Sequence, residues 1–381
     1  MHVTTPRAAA QPPPPRLVRT VRALPRLSRA LALTPDGATA FVVSPLSGQV
    51  TRVRLADGAV EAPRDDLDTA ESSGRPRLRA MGASAVATHD GATLFVAAQH
   101  PGGSLLVFDG TSCALAAELR CGAEALALSP DGSTLFVAGS GASADDIVIK
   151  VLDATAVADA ARLGESSAPA PRSTLRADGQ LLRPAALAVS ARGALAALCV
   201  SGRWALWRAP LLGAAGPDAA ERAPCGAARA LALAGDGRAL AVGGSDDVRF
   251  GTHDGMLLRW ALPPDAPEAQ PGADCADAEA WESPPFSDVA PQAPTALLRA
   301  DVTALAMTPD GRRVFAANAA GLTAEWRVDA EGNELTPLPV PPQEDDGEPL
   351  PVCALAMDAA GRTLVGLREA SDSTELLVWA L

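Results

Sequence analysis

The feature that most constrains the fold is a repeat that occurs seven times along the chain. Each copy has an alternating apolar strand, a turn related to Ser/Thr-Pro-Asp-Gly, and a second apolar strand, as in ALALSPDGSTLFVAG at 125–139. The turn glycines of the seven copies are Gly37, Gly91, Gly132, Gly193, Gly237, Gly311 and Gly361. Successive turn glycines are separated by 41 residues (Gly91 to Gly132) to 74 residues (Gly237 to Gly311). Such spacing is typical of arrays that stack one supersecondary unit on the next.

The residues of each copy predict a β-hairpin followed by a third strand. Alternation of Leu or Val with Ala has the period of two expected of a buried strand. Pro fixes φ at about −65° and Gly permits a positive φ, so the turn reverses the chain. The third strand ends in a bulky apolar residue in every copy. These aligned bulky positions are Val53, Phe108, Leu152, Trp207, Trp260, Trp326 and Trp379.

The SPDG-like turns and the Trp that ends the third strand resemble the WD40 repeat family over nearly all of residues 16–381. The resemblance implies an all-β fold, a seven-bladed β-propeller of four-stranded antiparallel blades. Two features depart from the family: the Asp of its Trp-Asp dipeptide survives only as Asp109 and Asp153, and its Gly-His dipeptide is absent. We therefore expect apolar packing to hold the blades more than the family's His–Asp hydrogen bonds. The YVTN-type bacterial propeller, which also carries a Pro-Asp-Gly turn, is the second choice.

The first residues have two possible roles. The last repeat stops after its third strand at Leu381, and Arg16–Leu24 (RLVRTVRAL) alternates suitably before the first copy. We expect this segment to pair as the outer strand of the last blade, which closes the ring and protects an edge. Residues 1–15 are then a disordered tail or a targeting segment, and residues 16–381 form one domain. An Arg-rich, acid-free start is also typical of organelle transit peptides, so cleavage within residues 1–29 stays open.

Several spacings indicate insertions in loops. Two insertions, at about 263–300 and 329–350, are Pro-rich and acidic. Such stretches are typical of solvated loops that keep a protein soluble. The alternative is a docking strip for a basic partner, in which Trp281 and Phe286 are possible partner-binding residues. A further insertion carries ATAVADAARLGE, which can form a short helix.

Composition excludes several classes of protein. A net charge of −13 argues against nucleic-acid binding through a general basic surface and leaves only a local Arg-rich face at the N-terminus and first blade. No apolar run approaches the ~20 residues that cross a bilayer. Six separated Cys without a CxxC pair, together with four His, argue against a zinc site and a disulfide scaffold. We expect no metal, no cofactor, no membrane partner and a reducing intracellular compartment (cytoplasm or nucleus, with organelle import open).

The sequence predicts no catalytic residues, because it has no Ser/His/Asp, HExxH or Walker-type pattern. The WD40 resemblance implies a non-catalytic scaffold for protein–protein interaction, a subunit of a larger assembly with one or more protein partners. Fold alone does not fix function. Two alternatives stay open: a propeller enzyme or small-ligand binder of the lactonase or quinoprotein type, and an RNA-complex subunit that uses the Arg-rich face.

Overall fold

The computed structural model describes residues 13–44, 48–61, 84–98, 103–140, 147–177, 184–192, 194–199, 204–207, 227–245, 255–261, 300–328, 335–341, 350–370 and 373–381. Within these residues the strands group into seven antiparallel sheets, one for each repeat. The first strand of every sheet lies beside the first strands of the two neighbouring sheets. The sheets therefore form a ring with their first strands innermost.

Sheets 1 to 3 each have four strands in sequence order from the inside outward. Sheet 1 contains β2 (Ala30–Leu33), β3 (Thr39–Ser44), β4 (Gln49–Arg54) and β5 (Ala59–Glu61). Sheet 2 contains β6 (Ser84–Ala87), β7 (Thr93–Ala98), β8 (Ser104–Asp109) and β9 (Leu115–Arg120). Sheet 3 contains β10 (Ala125–Leu128), β11 (Thr134–Ser140), β12 (Ile147–Asp153) and β13 (Ser173–Ala177).

Sheets 4 and 5 show three strands among the described residues, and sheets 6 and 7 show four. Sheet 4 contains β14 (Pro184–Val189), β15 (Leu195–Cys199) and β16 (Trp204–Trp207). Sheet 5 contains β17 (Ala227–Leu233), β18 (Ala239–Ser245) and β19 (Gly255–Ala261). Sheet 6 contains β20 (Val302–Met307), β21 (Arg313–Asn318), β22 (Thr323–Arg327) and β23 (Leu335–Pro337). Sheet 7 contains β24 (Val352–Met357), β25 (Thr363–Glu369), β26 (Thr374–Ala380) and, outermost, β1 (Arg16–Leu24). The all-β propeller of antiparallel blades predicted from the sequence is confirmed.

The closing strand lies where the alternation predicts it. Strand β1 pairs antiparallel with β26, from Arg16 opposite Ala380 to Leu24 opposite Thr374. Val21 and Leu24 pack into the apolar cluster shared by sheets 7 and 1. The N-terminal strand therefore completes sheet 7 and joins it to sheet 1.

The core consists of seven apolar clusters, one between each pair of neighbouring sheets. The bulky residue of the third strand faces the preceding sheet: Phe108 packs toward sheet 1, and Trp379 toward sheet 6. The second strand often supplies a Phe that faces the following sheet, such as Phe41 or Phe315. The alternation of a strand therefore fills two interfaces at once.

Sheets 6 and 7 add buried ion pairs to this packing. The fully buried Glu325 accepts from Arg313 Nε at 2.6 Å and from Arg327 Nε at 2.7 Å. In sheet 7, Glu375 accepts from Arg368 Nε at 2.9 Å and lies 3.2 Å from Arg22 Nε. Apolar clusters lie between all neighbouring sheets, in line with the expectation from the sequence. The two ionic clusters occur in addition to them, and the repeat motif did not predict these clusters. A buried charge is tolerated when it is paired and hydrogen-bonded, and both carboxylates meet that condition, although the buried Nη2 of Arg313 has no hydrogen-bond partner among the described residues.

The insertion in sheet 3 contains α1 (Ala154–Arg162), as the sequence predicts. Asp153 caps its first turn by accepting the N–H of Ala156 at 3.0 Å. Val157 and Ala161 are buried in the cluster between sheets 2 and 3. The helix therefore covers part of the outer wall of sheet 2.

Candidate interaction face

The turns between first and second strands lie together around the axis of the ring. Seven turns take part, and we call them the turn ring: residues 34–38, 88–92, 129–133, 190–194, 234–238, 308–312 and 358–362. In six of them the turn glycine is described, and it has a positive φ between 64° and 72°. Gly193 of the seventh lies outside the described residues.

Neighbouring turns contact each other directly. A Cβ on Gly37 would lie 3.0 Å from Asp358 Cβ, and one on Gly91 would lie 3.2 Å from Thr34. Backbone bonds add to these contacts: Ala359 N–H donates to the Pro35 carbonyl at 3.0 Å. Similar bonds link turns 4 to 5 and 5 to 6. Contacts of this kind join every neighbouring pair of turns except turns 3 and 4, where Gly193 lies outside the described residues. The turns therefore support one another rather than standing as separate loops.

Four turns share one hydrogen-bond arrangement. In turn 1 the hydroxyl of Thr34 donates to Asp36 Oδ1 at 2.6 Å, and Ala38 N–H donates to the same oxygen at 2.9 Å. The Thr34 hydroxyl also accepts the N–H of Thr39 at 3.0 Å, which ties the turn to the second strand. The equivalent hydroxyl–carboxylate pairs are Thr88 with Asp90, Ser129 with Asp131, and Thr308 with Asp310.

These bonds hold the turn carboxylates in their ionised form. The Thr34 hydroxyl, followed by the Ala38 N–H, lowers the pKa of Asp36. The pKa of Asp90 is lowered mainly by the Ala92 N–H, and that of Asp131 mainly by the Ser129 hydroxyl. Burial raises the pKa of Asp310, but the Thr308 hydroxyl and further bonds outweigh burial, so the net shift is downward. Hydrogen bonds to the charged form favour that form.

The other three turns depart from this arrangement. Turn 4 has Ser190 but no Asp at the third position, and turn 5 has Ala234 in place of the hydroxyl residue. In turn 7 the buried Asp358 takes over the role of the hydroxyl, since its Oδ1 accepts the N–H groups of Arg362 at 2.7 Å and Thr363 at 3.0 Å. The turn geometry therefore survives loss of the Thr–Asp pair.

Charge is divided around the turn ring. Turns 1 to 3 expose three carboxylates, Asp36, Asp90 and Asp131, together with the imidazole of His89, which contributes to lowering the pKa values of Asp36 and Asp90. Turns 4 to 7 instead expose four arginines, together with Asp310 and the half-buried Asp236: Arg192, Arg238, Arg312 and Arg362. Within the described part of the chain, none of these four guanidinium groups forms an ion pair. We call the first set the acidic arc and the four arginines the basic arc.

The Arg-rich face predicted at the N-terminus has a different electrostatic character. Strand β1 does bring its arginines beside sheet 1, where Arg19 Nη2 donates to the Ala56 carbonyl at 2.9 Å. However, most of these arginines have acidic partners. The pairs are Arg22 with Glu375, Arg29 with Glu369, Arg52 with Glu61, and Arg54 with Asp57 and Glu61. The surrounding carboxylates therefore neutralise much of this face. Arg64, Arg75, Arg77 and Arg79 lie outside the described residues.

The Trp residues of the repeat lie in the core. Trp260, Trp326 and Trp379 are at most 2% exposed, at equivalent positions of sheets 5, 6 and 7. Trp379 Nε1–H donates to the Pro339 carbonyl at 2.8 Å, so the chain leaving sheet 6 crosses over this ring. Trp207 ends β16, and its side chain lies outside the described residues, as do Trp281 and Phe286 entirely.

Sequence reasoning missed the division of charge on the turn ring. The signal was present: the residue after the turn glycine is Ala or Ser in the first three copies and Arg in the last three. The predicted acidic insertions lie mostly outside the described residues, so their proposed docking role stays a prediction. Residues 335–341 of the second insertion are described, and their contact with Trp379 had no signal in the sequence.

Chemically reactive groups are few in the described part of the chain. There, no group of three or more His, Cys, Asp and Glu residues has the geometry of a metal site. Burial raises the pKa of Cys113 to about 11 and that of Cys353 to about 12. These thiols stay protonated at neutral pH, and only a thiolate is an effective nucleophile. Among the described helices, none has the length and apolarity to cross a membrane.

No protein-family model and no curated protein matches the chain. Among solved structures, the chain is similar to U3-55K, with a TM-score of 0.60 and 14% sequence identity. The match covers 95% of this chain and 98% of that chain. At this identity the likeness bears on the fold alone, and it supports the β-propeller described above.

Proposed function

We propose that this chain is a degenerate WD40-type propeller that acts as a non-catalytic scaffold for protein–protein interaction within a larger assembly. The observation that carries the proposal is the turn ring. Its hydroxyls and carboxylates bond within the turns, and its glycines pack against the preceding turns. A rigid surface that displays fixed charges is suited to recognising another protein, because little conformational entropy is lost on binding.

The proposal also covers the domain organisation, the compartment and the choice between protein and RNA partners. Residues 16–381 are treated as one domain, since the ring closes through β1 and β26. An intracellular, reducing compartment fits the free thiols of Cys113, Cys121 and Cys353. The RNA-binding alternative has less support, since nucleic-acid binding needs unneutralised Lys and Arg and most of the described N-terminal arginines pair with carboxylates.

The proposal is tested by purification of the tagged chain from its source extract at physiological salt. A scaffold is expected to elute as a complex well above the 38.7 kDa of the chain and to retain defined protein partners. Each partner is then produced separately and mixed with the purified chain, and the mass of the mixture is measured by size-exclusion chromatography with light scattering. Elution at the monomer mass in extract, with no partner that rebinds in the purified system, would contradict the proposal.

The same preparation separates the two alternatives. Metal analysis and absorption spectra of the purified chain would reveal a bound metal or cofactor, which would favour the enzyme or small-ligand class. Retention of RNA that falls steeply with salt would favour the RNA-complex class, since counterion release governs such binding.

A further inference from the structure

The charge division of the turn ring is a second, finer feature of the surface that carries the proposed function. The turns follow one another around the ring in chain order, because the first strand of each sheet lies beside the first strands of the two neighbouring sheets. The three acidic turns are therefore adjacent in space, and so are the four turns that carry arginine. One side of the surface carries three carboxylates, and the other carries four arginines with the two carboxylates Asp236 and Asp310, so positive charge predominates there.

The two arcs differ in how their charged groups are held. The carboxylates of the acidic arc are fixed, because each accepts a hydroxyl and a backbone N–H within its own turn. A carboxylate oxygen has further lone pairs, so these groups can still accept bonds from solvent-side cations. The guanidinium groups of the basic arc are exposed and form no ion pair among the described residues. Arg312 also lies close enough to Asp310 to lower the pKa of that carboxyl. A guanidinium group that is exposed in this way can donate to a planar acceptor such as a carboxylate.

The balance of charge argues against a partner of one sign. In a chain of net charge −13, a uniformly acidic partner would be repelled overall. A uniformly basic partner would be attracted by the whole molecule but would meet the four exposed arginines on this face. Charge complementarity contributes mainly to specificity and association rate, and like charges in contact oppose binding. The arrangement favours a partner that carries both signs in a fixed order.

We propose that the turn ring docks a charge-split protein segment, whose basic part lies over turns 1 to 3 and whose acidic part lies over turns 4 to 7. This inference rests on the proposed scaffold function and specifies its surface and partner chemistry. Lys and Arg of the partner meet Asp36, Asp90 and Asp131, and its Asp and Glu meet the basic arc. The two contacts together set the orientation of the segment on the ring.

The test uses synthetic peptides and the full-length chain. One peptide carries four lysines and four glutamates at opposite ends of a Gly/Ser spacer, and two control peptides of equal length carry eight lysines or eight glutamates. Binding is measured by fluorescence anisotropy at 50 and 300 mM salt. We expect the charge-split peptide to bind at least tenfold more tightly than either control at low salt and to lose affinity at high salt.

Two variants of the chain locate the binding. Asp36→Asn/Asp90→Asn/Asp131→Asn removes the acidic charges but keeps an oxygen that can accept the turn bonds. Arg192→Gln/Arg238→Gln/Arg312→Gln/Arg362→Gln removes the basic charges. Each is expected to weaken binding of the charge-split peptide at least tenfold. The matched controls remove the same number of charges off the ring and are expected to bind as the wild type does: Asp57→Asn/Asp159→Asn/Glu165→Gln and Arg16→Gln/Arg54→Gln/Arg120→Gln/Arg162→Gln. Thermal unfolding of every variant checks that the fold is intact.

Three outcomes would overturn the inference. The eight-lysine peptide could bind as well as the charge-split one, which would mean that net charge alone acts. Binding could survive in both arc variants, which would place it elsewhere. Light scattering could show self-association that both arc variants abolish, which would make a second copy the occupant. If protein partners co-purify with the chain but the arc variants retain them, this inference fails and the scaffold function stands. If no partner is found, the scaffold function itself fails.

Discussion

Sheets 2 and 6 share one backbone register but stabilise it by different chemistry. In sheet 2, Thr93 lies opposite Asp109 and Val107 lies next to the aligned Phe108. In sheet 6 the equivalent positions hold Arg313 opposite Arg327, and Glu325 next to Trp326. The interior side chain is thus an apolar Val in one sheet and a fully buried carboxylate between two arginines in the other.

Sheet 7 also differs from sheet 2 by a buried ion pair, which lies at a different position along the second and third strands. Arg368 pairs with Glu375 at the register where sheet 2 has Ala98 and Ser104. The repeat therefore determines the hairpins, but it does not determine whether the interior side chains of a sheet are apolar or ionic. An apolar interior can lose one group at moderate cost, because the remaining contacts persist. A buried ionic cluster depends on every member, since removal of one partner leaves an unpaired charge.

The largest effect is expected from removal of residues 1–29, which affects sheet 7 and leaves the strands of sheet 2 intact. Val21 and Leu24 each contribute about 1.5–3 kcal/mol through burial, and Glu375 also loses Arg22. We expect the free energy of unfolding to fall by about 5 kcal/mol or more in urea titration. A truncation that starts at residue 13 keeps every β1–β26 bond and serves as the control. An unchanged melting temperature for the longer truncation would mean that β1 does not close the ring.

Glu325→Ala is expected to destabilise the chain by about 3–5 kcal/mol, because it leaves the largely buried Arg313 and the half-buried Arg327 without their acceptor. The double variant Arg313→Thr/Glu325→Val copies the residues of sheet 2 and is expected to recover most of this loss. Both values come from urea unfolding at pH 7. A double variant no more stable than Glu325→Ala would show that the two interiors are not interchangeable.

Trp379→Phe is expected to cost about 1–2 kcal/mol, because it removes the 2.8 Å bond to the Pro339 carbonyl and part of a buried ring. The Pro339 carbonyl loses its donor, and the smaller Phe ring leaves part of the buried site unfilled. Phe108→Leu at the equivalent position of sheet 2 is the matched substitution without a hydrogen bond. Equal losses for the two variants would indicate that the contact with residues 338–341 adds nothing to sheet 7.

The smallest effect concerns the turns, where sheets 2 and 6 are alike. The pKa values of Asp36, Asp90, Asp131 and Asp310 lie below their ordinary value of 3.8 in the folded chain. Their contribution to stability is therefore complete above that value and is lost as the pH falls through the lower, folded pKa. Replacing all four by Asn should flatten the fall in melting temperature between pH 5 and about pH 2, relative to Asp159→Asn. Parallel pH profiles for the two variants would contradict this assignment.

The fold was predictable because its signals are local and recur. A Pro-Asp-Gly segment, such as the one that ends at Gly132, specifies a turn in each copy of the repeat that contains it. The alternating apolar residues on each side of the turn specify the strands. Closure by Arg16–Leu24 followed from counting strands, since the last repeat lacked an outer one. The ionic clusters could not be predicted in this way, because Arg313 and Glu325 become neighbours only through strand register and look like ordinary surface residues in the sequence.

The candidate face was less predictable for a related reason. The residue after each turn glycine varies between Ala, Ser and Arg, and no single copy indicates that this position matters. Only the circular arrangement turns three acidic copies followed by four arginine-bearing copies into two sides of one surface. The order of acidic and arginine-bearing turns can be read from the sequence. That this order produces two sides of one surface follows only from the circular arrangement of the sheets.

The pairing of β1 with β26 also has a consequence during synthesis on the ribosome. Ser28 N–H donates to Thr374 Oγ1, a residue 346 positions later. While the chain emerges, β1 has no partner until β26 has been made, although sheets 1 to 6 can already form. The nascent propeller is thus an open arc with an unpaired, arginine-rich strand at one end. The ring closes when β26 captures that strand.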